Sequence, residues 1–78
     1  MSILQLTQIT TQLHSAYQHA KTSDQNFKQY RLIYSDCWKV TEKLDAIQAK
    51  DEQERLLKRL TLQRLEELTA KCLKHKLQ

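Results

Sequence analysis

The chain has 78 residues, room for a single domain, and a formal net charge of +4 with 28% charged residues. A chain this short buries only ~60–65% of the surface its unfolded form exposes, so disulfides, a metal, regular helix packing or self-association is expected to add stability. It contains no glycine and no proline, which excludes glycine-rich phosphate loops and nucleophile elbows and makes turn-rich sheet folds improbable, because glycine serves where backbone turns sharply or approaches a ligand.

The first predicted helix covers about residues 2–21. Leu6, Ile9, Leu13, Ala16 and Ala20 alternate at spacings of three and four, with Tyr17 beside the stripe, which is the period of an amphipathic helix. Ser2 is placed to cap it. Glutamines and threonines fill the remaining circumference, so one narrow seam is expected to meet one neighbour. The apolar pattern lapses at Lys21 to Asp24, where Thr22, Ser23 or Asp24 can accept from the free amides of a new helix.

The second predicted helix covers about residues 24–49. Phe27, Tyr30, Ile33, Tyr34, Cys37, Trp38, Val40, Leu44 and Ile47 occupy about half of its wheel, and all the aromatic residues except Tyr17 lie between Phe27 and Trp38. Such a stripe marks a core or a recognition surface, and core is the commoner fate. From Gln48 to Arg55 every position except Ala49 is polar, and Asp51 and Glu54 have the spacing of a capping box, predicting a second break. The rival is one helix running continuously through Asp51, since no glycine is present to end it in the left-handed conformation.

The third predicted helix covers about residues 52–77. Leu57, Leu65, Leu68 and Cys72 form one stripe, while Leu62, Leu73 and Leu77 form another roughly 100° away on the wheel. One neighbour cannot cover both, and each leucine left in water forgoes ~1.5–3 kcal/mol. The expected fold is therefore all-α: two or three antiparallel helices, as a hairpin or three-helix bundle with coiled-coil-like packing, completing its core by dimerisation.

Few residues are placed for chemistry. Cys37 and Cys72 follow no secretory signal, which points to a reduced, cytoplasmic chain. Neither has a second cysteine or histidine at chelating spacing, except that Cys72 and His75 stand at i, i+3, and two ligands rarely hold zinc. His14 and His19 are scattered. No cation sits on the apolar face to stabilise a Cys37 thiolate, and no nucleophile, base and orienter converge. We therefore expect no enzyme activity, metal, cofactor or small-molecule substrate. Apolar runs of two or three residues exclude a membrane span.

The expected partner is another protein, bound through Tyr30, Tyr34 and Trp38 of the second helix or Leu62, Leu73 and Leu77 of the third, as in an adaptor, chaperone or small inhibitor. Charge offers a different class. Residues 55–78 carry seven Lys or Arg against two Glu, a balance of +5, whereas residues 1–54 carry six against seven, a balance of −1. Arg64, Lys71, Lys74 and His75 fall within about 100° of one another on the wheel, interrupted by Glu67. This strip either contacts phosphates of a nucleic acid or is a solvated face that complements the helix dipole. Lys28, Arg31 and Lys39 flank aromatic residues too, but Asp24, Asp36, Glu42 and Asp45 balance them.

The stretch from Asp24, Gln25, Asn26 and Phe27 through Leu44, then Glu52 and Gln53, and the closing Arg64, Leu65, Leu68, Cys72 and Leu77 resembles the C-terminal helical part of the PriC family of bacterial replication-restart proteins. The resemblance covers roughly Phe27 onward. It implies an adaptor that binds single-strand-binding protein or branched DNA and helps load a replicative helicase. Members of that family are longer and carry far more arginine than the four in this chain.

Overall fold

Residues 2–22 and 27–76, apart from the side chains of Phe27 and Lys76, are described by the computed structural model. They form α1 (Ile3–Lys21), α2 (Phe27–Ala46) and α3 (Glu52–Lys76), with no strand among the described residues. The all-α expectation holds at that level. No described helix is long and apolar enough to cross a membrane.

α1 opens on a reciprocal cap. The Gln5 amide donates to Ser2 Oγ at 3.2 Å, and the Ser2 amide donates to Gln5 Oε1 at 2.8 Å, so two otherwise free donors are satisfied. At its other end the Thr22 amide and hydroxyl both donate to the His19 carbonyl, at 3.1 and 2.8 Å. Thr22, one of the three residues expected to cap the second helix, is instead the C-cap of α1; Ser23 and Asp24, the other two, lie outside the described residues.

α2 and α3 are separate helices, so the continuous reading through Asp51 is corrected. α2 also stops at Ala46, about one turn before the expected residue 49. The Ile47 amide reaches back to the Leu44 carbonyl at 3.2 Å, tightening the last turn, and the Lys58 ammonium takes the Ile47 carbonyl at 2.7 Å. A cation thus satisfies a carbonyl that another helical turn would have used. No described residue has positive φ; these ends are made without the left-handed backbone that favours glycine. Asp51 Oδ1 accepts the Glu54 amide at 2.8 Å, but the Glu54 carboxylate reaches the Lys50 amide, at 3.5 Å, and not that of Asp51. The cap forms; its return arm is displaced by one residue.

Each helix packs on both others. The core consists of Ile3, Leu6, Leu13, Tyr17 and Ala20 from α1, Tyr30, Ile33, Cys37, Val40 and Leu44 from α2, and Leu65, Leu68 and Cys72 from α3. Two threonines complete it. Thr10 and Thr61 are each 1% exposed, which their hydroxyls tolerate because they donate to the carbonyls one turn back, Leu6 at 2.8 Å and Leu57 at 2.7 Å. The α1 seam is corrected accordingly: Tyr17 lies inside the stripe, Thr10 joins it, and Ala16 is exposed. Among the described residues no buried side-chain nitrogen or oxygen lacks a hydrogen-bond partner.

Side-chain contacts register the helices. α1 meets α3 through Thr7 Oγ1 and Thr61 Oγ1 at 3.0 Å, Thr11 and Arg64 at 3.2 Å, and Tyr17 and His75 at 2.9 Å. α2 meets α3 where the Tyr30 ring stacks on His75, centroids 4.3 Å apart. The molecule measures 44 × 19 × 17 Å.

Candidate functional site

Four of the six residues expected to contact a partner fall along the seam between α2 and α3. Trp38, 49% exposed, lines a trough of ≈260 Å³ with Thr41, Glu66, Thr69 and Ala70. Its ring meets that of Tyr34 edge-on at 6.3 Å, as expected of aromatic residues one helical turn apart. Leu73, 39% exposed, stands one turn beyond Thr69 and Ala70 on α3. In the other direction Glu66 is shared with a wider depression of ≈590 Å³ that also takes in Leu62, Ala49, Arg55 and Arg59. The two hollows meet at Glu66; the narrower is mainly apolar, whereas the wider sets Leu62 and Ala49 among Gln48, Arg55, Lys58, Arg59 and Gln63. Half-buried Leu62 packs against the core from its edge.

The other two expected residues do not join it. Tyr30 is 2% exposed and belongs to the core, stacked on His75 and 5.5 Å from the Tyr17 ring. Leu77 lies outside the described residues. The aromatic stripe therefore divides: its inward edge is core, and its outward edge, Tyr34 and Trp38, reaches the surface. Tyr30 and Trp38 differ by about 80° on the wheel, which puts the first in the core and the second at the surface.

Near the C-terminal turn of α3, His75 is held from both other helices, by the Tyr17 hydroxyl at Nε2 and by the Tyr30 ring. Burial raises the Tyr17 pKa above its ordinary value, with Tyr30 and Cys72 adding to the effect. Cys37 and Cys72 are free thiols, both fully buried. Burial pushes Cys72 up to about 11, with Cys37 adding to it. Burial also raises Cys37; a hydrogen bond with Thr69 opposes this and Asp36 adds to it. Both are held as neutral thiols.

Arg64, Lys71 and Lys74 are exposed on α3. The structure brings Arg64 against α1, where its Nη2 donates to Thr11 Oγ1. α1 contains no Asp or Glu between Ile3 and Lys21, so nothing on that neighbour offsets the strip. Sequence reasoning missed a second basic group, Arg55, Lys58 and Arg59 around the ≈590 Å³ depression; the i, i+4 spacing of the arginines was the available signal. No protein-family model, curated protein or solved structure matches the chain.

Proposed function

We propose that the protein is a non-enzymatic helical protein–protein interaction module of the adaptor, chaperone or small-inhibitor type, and that its contact surface is the α2/α3 seam. The observation that carries this reading is the half-exposed Trp38, edge-packed on Tyr34 above a trough that continues toward Leu73 and Leu62. A monomer leaves a large aromatic in water only at a loss, and tryptophan beside a shallow apolar depression is the usual anchor of a protein contact. An antiparallel order of α2 and α3 is part of the reading: Tyr30 meets His75 near one end, and Ile47 meets Lys58 near the other. Covering of the leucine faces by a second copy is also part of it. The free thiols Cys37 and Cys72 suit a reducing cytoplasm.

The test is a photoreactive amino acid placed at position 38 or 73, irradiated in cells that make the protein. Covalent protein adducts are expected from both positions and not from Leu32 on the opposite flank. Adducts from Leu32 alone would move the contact to the α1/α2 side and overturn the assignment.

A second reading is favoured by the carboxylate-free α1 beside the basic strip: Arg64, Lys71 and Lys74 as phosphate contacts of a DNA-associated factor, with PriC-like replication restart as its sharpest form. Binding to a short single-stranded or forked DNA should then weaken steeply with salt, and Lys71→Glu with Lys74→Glu should abolish it. Salt-independent or absent binding removes this reading and leaves the first intact.

A further inference from the structure

We infer that the α2/α3 seam accepts a second copy of the chain, related by a two-fold axis that crosses the helices at Trp38. The inference rests on the seam being a protein contact and gives the pairing of the two copies its geometry. Arg31, Trp38 and Asp45 follow one another at intervals of seven residues on α2, so they lie on one line of the helix, ~10 Å apart. All three are exposed. The line carries a cation at one end, an anion at the other and the tryptophan midway.

A two-fold axis across the helices sets α2 against α2 in the reverse sense. Trp38 then meets Trp38 of the second copy, and each Arg31 faces the other copy's Asp45. The same reversal turns Leu73 toward the other copy's Leu62, pairing the leucines on either side of the Trp38 trough. The alternative face-to-face arrangement, with the axis along the helices, sets α2 against α3. By the register of Tyr30 on His75 and Ile47 on Lys58 it places Arg31 near Lys74 and Asp45 near Arg59, so one like-charge pair offsets the one opposite pair and no net complementarity results. Charge therefore selects the crossed arrangement, in which the surface is complementary to itself as an isologous contact requires. The molecule is 44 Å long and 19 Å wide, so a contact of the ~800 Å² per partner found in a standard interface would take up nearly the whole of this side.

The chain has a single tryptophan, so its fluorescence reports on the centre of the contact. Sedimentation equilibrium on the full chain is expected to give a dimer, with Trp38 emission moving to shorter wavelength as concentration rises. Arg31→Asp sets two carboxylates opposite each other and Asp45→Arg sets two guanidinium groups opposite each other. Each alone should weaken the dimer about tenfold or more, given the usual worth of an exposed pair and two copies of it. Mixed in equal amounts, the two single variants should form a heterodimer in preference to either homodimer, and the double variant should dimerise like the parent. These positions are exposed, and unchanged circular dichroism confirms that the variants fold.

A chain that stays monomeric to about 200 µM overturns the inference, as does a dimer whose single variants show no preference for each other. The two levels separate cleanly. A monomer that still gives adducts from position 38 with other proteins overturns the second copy and leaves the interaction module standing. A dimer unaffected by Trp38→Ala, with no adduct from position 38 or 73, overturns both.

Discussion

Cys72 is fully buried, and its thiol is pushed up from 9.0 to about 11 by burial and the neighbouring Cys37. Between those values the unfolded chain has released a proton that the folded chain retains, so stability is present below pH 9 and is lost as pH rises toward 11. At ~1.4 kcal/mol per unit, Cys72 alone accounts for a loss of up to about 3 kcal/mol. Cys37 and Tyr17 are raised too and act in the same direction. The urea midpoint is expected to be level up to about pH 8 and to fall between 9 and 11, with a shallower fall in Cys72→Ala; equal slopes in parent and variant would show that Cys72 is not held neutral. Exposure separates two other residues. Leu44→Ala, at a fully buried position, should cost about 2–5 kcal/mol, whereas Trp38→Ala should cost under about 1 kcal/mol while removing the partner contact. Denaturant titrations of the two variants check this contrast. At this scale hydrophobic periodicity named most of the core but omitted Thr10 and Thr61. A threonine reads as polar until a carbonyl one turn back is seen to take its hydroxyl proton.

At the level of the helices, the N-terminal caps expected for α1 and α3 form, Ser2 with Gln5 and Asp51 with Glu54. They were legible because an N-cap is a local arrangement: acceptor and amide lie three residues apart whatever the rest of the chain does. Asp51→Ala is therefore expected to destabilise the fold by about 1 kcal/mol and Asp51→Gly by only a few tenths, as urea titration would read. Losses equal in the two would assign the effect to something other than the cap geometry. The C-terminal end of α2 was not legible. It depends on Lys58, eleven residues from Ile47 and on the next helix, swinging back to take a carbonyl. Lys58→Met keeps much of the stem but loses that donor, and should cost about 1–2 kcal/mol by the same titration; an unchanged midpoint would show that water serves the carbonyl equally well.

For the molecule as a whole, the surface retains large apolar residues on more than one flank: Leu32 at 66%, Leu4 at 60% and Leu56 at 55% exposed, besides Trp38 and Leu73. If a second copy covers the α2/α3 seam, association stabilises the folded state by mass action. The thermal midpoint should then rise with protein concentration in the parent and not in Trp38→Ala, which scanning calorimetry at two concentrations tests. A midpoint independent of concentration in both would count against assembly.

The sequence by itself determined the helical segments, the N-terminal caps of α1 and α3 and the presence of two leucine stripes on α3, because each depends on spacings within one turn or a few. It also named Tyr30, Tyr34 and Trp38 on one face and Leu62, Leu73 and Leu77 on another as candidate partner contacts. Only the tertiary structure decided that Tyr34, Trp38, Leu62 and Leu73 fall along one seam, that Tyr30 turns inward onto His75, and that Arg64 lies beside a carboxylate-free α1. A helical wheel gives each helix its own faces but carries no information about how one helix is rotated against the next. That rotation is set by how side chains from all three helices fill one core.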